Sequence, residues 1–249
     1  MTLSDIRTEV LKSTEKHSRG ELLYRNWTIS IQLSGKEAEQ SDIPAMEEGA
    51  MSKGEIIKRE FARKLKQIAE VQQLTTVTVS SLCKETGLSR STFYYHFVDL
   101  YDLINWIFET DIIVPLQQYI RDNKFGNWAQ ATRLSLVKMY SDRQFYCQAV
   151  KMDVQNSLQD YMRKRNRDSW VLLLDRYLED TQQQYDAETL GFLTTFIAQA
   201  ISNMTIDWAK DGMKTPVDQM CKMNEVATMG VYGIITHANN SSKCPPFYS

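Results

Sequence analysis

The chain is poor in the residues that interrupt regular secondary structure and in those that build covalent or metal-bound frameworks. It has 10 glycines, 5 prolines, 4 cysteines and 3 histidines among 249 residues. Few glycines and prolines favour long helices. The four cysteines are widely separated and form no C-x-x-C pair, so we expect reduced thiols, with no cofactor and no metal. A metal site assembled from distant Cys and His side chains is the alternative.

The sequence also lacks the marks of several functional classes. No apolar run approaches the roughly 20 residues that cross a bilayer. The first residues do not follow the basic, apolar, small-residue order of a signal peptide. The P-loop, G-x-G-x-x-G, H-E-x-x-H and G-x-S-x-G motifs are absent as well. We therefore expect a cytoplasmic protein that is not an enzyme and has no membrane partner.

The sequence does contain a dense run of helix signals between residues 76 and 97, TVTVSSLCKETGLSRSTFYYHF. Thr78 and Ser89 are good helix N-caps. Gly87 ends the first helix, because a left-handed residue after a helix costs least without a Cβ. The run therefore predicts two short helices joined by a tight turn, over Val79–Thr86 and Arg90–Phe97.

The second of these helices carries side chains suited to nucleic acid. Phe93 and Phe97 are four residues apart and share one buried face. The flanks and outer face are left to Arg90, Ser91, Thr92, Tyr94, Tyr95 and His96. Guanidinium, hydroxyl, imidazole and aromatic groups can recognise base edges and hold phosphates. For the turn alone, a helical hairpin whose polar residues merely face water is an equally good interpretation.

The wider string resembles the DNA-binding head of the tetracycline-repressor (TetR) family of transcriptional regulators. The family pattern T-V-x-x-[LI]-[AC]-x-x-x-G-[VL]-S-x-x-[TS]-[FL]-Y-x-[HY]-F is matched without a break from Thr78 to Phe97. The resemblance implies a homodimer that binds a palindromic double-stranded DNA operator and responds to an effector in a C-terminal body. The alternative is a helical ligand- or protein-binding dimer whose DNA-binding head is vestigial.

The resemblance also implies contacts with DNA. Base edges are expected to meet Ser80, Arg90, Ser91, Thr92 and Tyr94. Phosphates are expected to meet Lys53, Thr78, Tyr95 and His96, and Ser89 caps the recognition helix at the same surface. For Lys53, a solvated charged face is an equally good interpretation. Family members carry a lysine one or three residues after the H-F pair, where this sequence has Val98 and Leu100. One phosphate contact is therefore missing or supplied elsewhere.

Charge and spacing divide the chain into four parts. Residues 51–100 carry eight basic and five acidic side chains, whereas residues 1–50 carry six and nine. A basic head on a faintly acidic body is the layout of a DNA-binding protein. We predict an N-terminal extension (1–50), flexible or non-native, with translation starting at Met51. A helix-turn-helix head (51–97), an effector-binding and dimerisation body (98–238) and a loose tail (239–249) follow it.

Apolar residues at helical spacing predict an all-α fold of about nine helices. The first begins at Ser52 and runs to about Gln72. The fourth, Asp99 to about Val114, links head and body, and Pro115 is predicted to end or kink it. The body helices are predicted over Trp128–Tyr140, Gln144 to about Val154, Leu158–Asp180, Ala187–Asp211 and Val217–Thr236.

The body segment Asp142–Met162 resembles a branch of the same family that includes activators of dihydroxyacetone-kinase operons. The family resemblance implies an effector cavity, for which the candidate residues are Tyr140, Phe145, Tyr146, Gln155, Asn156 and Trp170. Each aromatic residue taken singly is better explained as core. The effector, a small polar metabolite or a metal, stays open. Apolar stripes on the last two helices predict the dimer contact: Leu190, Leu193, Ile197 and Ile201, then Met220, Met223, Ala227 and Val231.

Overall fold

The computed structural model describes residues 52–123, 128–152, 157–181 and 187–240. Within those ranges the chain is helical and contains no strand, so the all-α prediction is confirmed. The head comprises α1 (Lys53–Val71), a 3-10 turn (Leu74–Thr76), α2 (Val79–Thr86) and α3 (Arg90–His96). The body comprises α4 (Leu100–Phe108), a π-helix (Glu109–Ile113), α5 (Val114–Asp122), α6 (Trp128–Ser141), α7 (Arg143–Ala149), α8 (Leu158–Thr181), α9 (Ala187–Lys210) and α10 (Val217–Asn240).

Each head helix begins at a side chain that caps it. The hydroxyls of Ser52, Thr78 and Ser89 accept hydrogen bonds from the backbone N–H three residues later, at 3.2, 3.1 and 3.0 Å. Gly87 follows α2 with a φ of 69°, a left-handed conformation that a residue with a Cβ adopts only at a cost. The predicted boundaries of the helix-turn-helix are therefore confirmed to within one residue.

Aromatic side chains hold the three head helices together. The ring of Phe61 on α1 meets the rings of Phe93 and Phe97 edge-on, with centroids 5.2 and 6.5 Å apart. Leu82 of α2 completes this buried group. The same core continues through Ile107 of α4 into the body. Head and body thus share one hydrophobic core, so α4 cannot shift without disturbing the packing of both.

The connection between head and body is one uninterrupted helical segment. Glu109 and Val114, at the two ends of the π-helix, keep right-handed helical dihedrals, so α4, the π-helix and α5 follow one another without a break. Pro115 was predicted to end or kink this helix; the helix does not end there, and the kink stays a prediction. A proline crowds the carbonyl four residues earlier and cannot donate to it. The wider π turn directly before Pro115 accommodates this, and we name the segment from Leu100 to Asp122 the lever.

In the body, α8 packs along α9 and α10 packs along α6. Two further boundaries differ from the predictions. The helix predicted from Gln144 to about Val154 stops at Ala149, because the following amides turn back in 3-10 fashion. The last helix continues past Thr236 to Asn240. The predicted extension over residues 1–50 and the tail from residue 241 lie outside the described residues.

The outer faces of α9 and α10 carry exposed apolar side chains. Phe192 and Phe196 are 69% and 55% exposed, and their rings stack with centroids 6.5 Å apart. Met223, Val226 and Met229 of α10 are exposed as well. We call these five residues the outer apolar face. Large apolar side chains in such a cluster typically mark an interaction surface.

The residues predicted for the dimer contact lie mostly on the opposite faces of these helices. Leu190, Ile197 and Ile201 of α9 are buried against Leu174 and Tyr177 of α8. Met220 of α10 is buried as well, whereas Met223 belongs to the outer apolar face. The prediction that these apolar stripes form the dimer contact was wrong for the buried residues, because each helix has two apolar faces. Spacing alone does not tell which of them packs inside the subunit.

Candidate nucleic-acid interface and body cavity

The outer surface of α3 is built from large polar and aromatic side chains on a rigid base. Phe93 is fully buried beneath the helix, and its ring meets Tyr94 edge-on at 5.5 Å. Arg90 and Ser91 are exposed at the start of the helix. Tyr94 and Tyr95 are 51% and 84% exposed. A guanidinium, hydroxyls and phenols therefore face outward together.

Hydroxyl groups cluster at the N-terminal ends of α2 and α3. The Ser89 hydroxyl lies 2.7 Å from the Ser91 hydroxyl and 2.8 Å from that of Thr92. On α2, Thr78 caps the helix in a reciprocal arrangement with Ser81, and Ser80 beside them is exposed. Hydroxyls both donate and accept hydrogen bonds, so this edge suits base edges and phosphate oxygens alike.

The start of α1 and the end of α3 meet at one edge of the head. A Cβ placed on Gly54 would lie 3.4 Å from His96 Cε1, and Lys53 is exposed beside it. Burial, and then the nearby charge of Lys58, lowers the pKa of His96 below 6.5. The imidazole is therefore uncharged near neutral pH. It would hold a phosphate as a hydrogen-bond donor, leaving the positive charge at this edge to Lys53 and Lys58.

The two positions after the H-F pair are filled by apolar residues with different surroundings. Val98 is 80% exposed, so a lysine there would reach solvent or phosphate. Leu100 packs against the core instead. At the position where a lysine could contact phosphate, this chain therefore exposes the apolar side chain of Val98.

A cavity of about 80 Å³ lies in the body between the lever and helices α6, α8, α9 and α10. The lever contributes Phe108, Ile112 and Leu116, and α8 contributes Trp170. The polar side chains of the lining include Ser135, Asn166, Ser169, Thr205 and Asn224, and none of the lining residues carries a charge. A cavity with apolar walls and a few polar groups is the usual form of a small-molecule site.

The π-helix joins the head, the cavity and α8. Lys66 of α1 forms an ion pair with Asp111 of the π-helix and another with Asp142 before α7, the latter at 2.8 Å. Lys138 also pairs with Asp142, at 3.0 Å. One turn of helix thus carries Asp111, bonded to the head, and Ile112, which lines the cavity.

On its other side the π-helix is clamped to α8. Glu109 accepts two hydrogen bonds from the Arg165 guanidinium, at 2.6 and 2.8 Å, and a third from the Tyr161 hydroxyl at 3.0 Å. Arg165 also pairs with Asp168 at 2.6 Å. Burial, reinforced by Glu109, raises the pKa of Tyr161, so this phenol stays protonated and donates. Burial alone lowers the pKa of Arg165, but its bond to Glu109 outweighs that effect.

Comparison with known proteins relates this chain to a family of transcriptional regulators. The sequence model of a family described as "Transcriptional regulator C-terminal region", a TetR class, matches residues 126–230, which follow the lever. The HTH-type dhaKLM operon transcriptional activator DhaS of Lactococcus lactis subsp. lactis (strain IL1403) is 24% identical over 150 residues, 60% of this chain and 75% of that protein. These likenesses bear out the resemblance of this chain to TetR-family transcriptional regulators.

Solved structures show the same fold. The structure of the dihydroxyacetone kinase operon activator DhaS superposes with a TM-score of 0.57 at 17% sequence identity. The match covers 71% of this chain and 97% of DhaS. FadR of Thermus thermophilus, a TetR-family transcriptional repressor in complex with lauroyl-CoA, has a TM-score of 0.52 and 10% identity. It covers 77% of this chain and 99% of FadR. The predicted relation to the DhaS branch is confirmed.

The residues predicted to bind an effector do not come together around the body cavity. Trp170 lines it. Tyr140 lies at the surface, stacked on Trp208, whereas Phe145 and Tyr146 are buried in the shared core. Gln155 and Asn156 lie outside the described residues. Sequence reasoning favoured aromatic residues and missed Ser135 and Asn224, whose only signal was a polar residue on the buried face of an otherwise amphipathic helix.

The part of the chain that the structure describes has neither a metal-binding cluster nor a membrane-spanning helix. No three His, Cys, Asp or Glu side chains in these ranges are grouped so as to hold a metal ion. None of the helices described is both long and apolar enough to span a bilayer. Cys83, Cys147 and Cys221 are free thiols. The polar groups of the body cavity are thus amides and hydroxyls, which bind small molecules by hydrogen bonding.

Proposed function

We propose that this regulator binds operator DNA as a homodimer and that an effector in the body cavity alters its operator affinity. The observation that carries the proposal is the outer face of α3. There Arg90, Ser91 and Tyr94 are exposed on a helix fixed from below by Phe93. Such a helix enters the major groove, and these side chains form hydrogen bonds with base edges and phosphates.

The outer apolar face supports the homodimer. Phe192, Phe196, Val226 and their neighbours would lose their contact with water if α9 and α10 of two subunits packed as a four-helix bundle. A two-fold dimer presents two α3 helices in a symmetric arrangement, so its operator is palindromic. The half-sites then lie about one turn of duplex apart, roughly 34–36 Å, or somewhat more.

The contacts of the lever support the response to an effector. Phe108 and Ile112 line the cavity, and Asp111 between them is bonded to α1 of the head. A ligand that favours one arrangement of the lever changes the spacing of the two heads and hence operator affinity. A ligand in the body is consistent with the solved structure of FadR, which contains lauroyl-CoA. DhaS is named an activator and FadR a repressor, so both kinds of transcriptional regulator occur on this fold.

The proposal is tested by selecting binding sites from a library of random duplex DNA with the full-length protein. We expect a palindrome to be enriched. Replacing Arg90, Tyr94 and Tyr95 together by alanine should weaken binding to it by about 30-fold or more, because each base contact is worth about 1–3 kcal/mol. Lys164→Ala removes an exposed charge from α8 in the body and serves as the control. Equal loss in both proteins would contradict recognition by α3.

The same selection also tests the alternative of a vestigial head. That function is favoured by Val98, which is exposed where family members carry a phosphate-binding lysine. If the folded dimer enriched no sequence, the head would be vestigial and the body alone would carry the function. If Val98→Lys restored enrichment, the missing phosphate contact would be the cause.

A further inference from the structure

The body cavity contains one fully buried polar side chain whose hydrogen-bonding groups are all unused. Asn224 lies on the inner face of α10 and is 1% exposed. Neither its Oδ1 nor its Nδ2 has a hydrogen-bond partner among the described residues. Buried amides are normally paired, because they otherwise lose their bonds to water without replacement. An unpaired amide at the wall of a cavity therefore points to a ligand that supplies both partners.

Apart from that of Thr132, which is only half-buried, the other hydroxyls at this cavity are already engaged. Those of Ser135, Ser169 and Thr205 donate to the backbone carbonyl four residues earlier, at 3.1, 3.1 and 2.9 Å. Each of these hydroxyls uses its single O–H in that bond and can only accept another. The amide of Asn166 donates to the Ser202 hydroxyl at 3.1 Å. Asn224 is therefore the fully buried group at this cavity that offers a free donor and a free acceptor side by side.

The charge and size of the cavity further restrict which ligands can bind. No lining residue is charged, so an ionised ligand would be buried without a counter-charge, which is strongly unfavourable. The volume is about 80 Å³. An apolar cavity of about 150 Å³ accommodates the six carbons of benzene, so this cavity has room for about three non-hydrogen atoms as it stands. Met139 and Met162 line the cavity, and their flexible side chains can move to admit a ligand of about five.

We infer that the body cavity binds a small uncharged carboxamide and that Asn224 is its specificity-determining residue. The ligand carbonyl accepts from Asn224 Nδ2 and the ligand N–H donates to Oδ1, in the paired arrangement of two amides. The alkyl part of the ligand lies against Phe108, Ile112 and Trp170. The ligand then touches α10 on one side and the lever on the other. Its effect on operator affinity rests on the proposed function, whereas its binding does not.

The test uses three probes with the same number of non-hydrogen atoms and nearly the same shape. Propanamide, propanoate and butanone are titrated into the full-length protein without DNA, with binding followed by ligand-observed NMR. We expect propanamide to bind and propanoate not to bind, because the carboxylate is charged. Butanone should bind about tenfold more weakly than propanamide, because it accepts a hydrogen bond but donates none. Failure of propanamide to bind, or equal binding of propanoate, overturns the inference.

Variants separate recognition by Asn224 from simple filling of the cavity. Asn224→Leu should weaken propanamide binding by about tenfold or more while raising the thermal unfolding temperature, since the unpaired amide is gone. Asn203→Leu, at an exposed asparagine of α9, should leave propanamide binding unchanged. Undiminished binding of propanamide to Asn224→Leu overturns the assignment of Asn224.

Operator titrations with and without propanamide distinguish the two proposals. A protein that selects a palindrome but does not bind propanamide contradicts the ligand inference alone. A protein that binds propanamide but enriches no DNA sequence contradicts the proposed function alone. If both bind and propanamide leaves operator affinity unchanged, the inferred ligand class is correct and the coupling through the lever is absent.

Discussion

At the scale of single residues, the proposed recognition of bases rests first on Arg90. It is exposed at the start of α3, and a guanidinium pairs with guanine through two hydrogen bonds. We predict that Arg90→Ala relaxes the preference at one base-pair position of each half-site by about 1–3 kcal/mol. The measurement is a titration of the selected site with each base in turn at every position.

Lys84→Ala is the matched control, because it removes one exposed charge from α2 of the same head. Loss of a charge that contacts only phosphate weakens binding to all DNA sequences by the same factor. The Arg90 assignment fails if Arg90→Ala changes affinity uniformly, or if base discrimination is the same as in the wild type.

Tyr146 shows why an aromatic residue is a poor guide to a ligand site. Its ring is fully buried between Phe108 and Phe145, with centroids 6.4 and 5.1 Å away. Its hydroxyl has no hydrogen-bond partner among the described residues. Burial, and then the carboxylates of Asp111 and Asp142, raises its pKa, so it stays protonated. It fills space in the core that α1, α4 and α7 share.

At the scale of elements, the π-helix depends on the charge network that ties it to α1. The side chains of Lys66, Asp111 and Asp142 are about four-fifths buried. Removing one member of such a group leaves its partners without compensation. We predict that Lys66→Gln lowers the free energy of unfolding by about 1–3 kcal/mol at neutral pH. Urea denaturation at one fixed protein concentration measures it.

The pH dependence of that loss follows from two shifted pKa values. Burial alone raises the pKa of Asp142, but Lys66 and Lys138 outweigh it and hold the pKa below 3.8. Its contribution is therefore complete above pH 3.8 and disappears as the pH falls through the lower folded value. Burial alone lowers the pKa of Lys66, yet Asp111 and Asp142 raise it above 10.5. Its contribution is complete below pH 10.5 and disappears as the pH rises through the higher folded value.

The difference between wild type and Lys66→Gln should therefore be constant across neutral pH and shrink towards both extremes. Lys64→Gln on the same helix is the control, since Lys64 reaches a mostly exposed Glu85 only at 4.0 Å. That variant should lose less than about 0.5 kcal/mol. A pH-independent difference, or an equal loss in the control, would show that the network does not stabilise the lever.

At the scale of the whole molecule, the proposed homodimer rests on the outer apolar face. We predict that Phe196→Glu turns the regulator into a monomer at micromolar concentration, because a buried carboxylate at the subunit contact has no counter-charge. Analytical ultracentrifugation measures the mass. Val71→Glu places the same charge on an exposed valine of α1 and should leave the dimer intact.

A monomer has a single recognition helix, so Phe196→Glu should also lose its preference for the palindrome over one half-site. A wild-type monomer would refute the homodimer outright. A dimer that survives both Phe196→Glu and a matching charge at Phe192 would place the subunit contact elsewhere.

The sequence by itself determined the helix-turn-helix. Thr78, Gly87 and Ser89 act on backbone groups within three or four residues, and the spacing of Phe93 and Phe97 defines one buried face. Interactions of such short range do not depend on the rest of the chain. The boundaries of α2 and α3, and the family they indicate, were therefore predictable from this stretch alone.

Only the tertiary structure decided the surfaces of the body. Both faces of α9 and α10 are apolar in places, and the contact with α8 determined that Ile197 lies inside and Phe196 outside. In the same way, Asn224 lines the cavity because α10 packs against α6. A helix repeats every 3.6 residues whatever lies beside it. Spacing therefore gives the faces of each helix, but the neighbouring helices decide what each face meets.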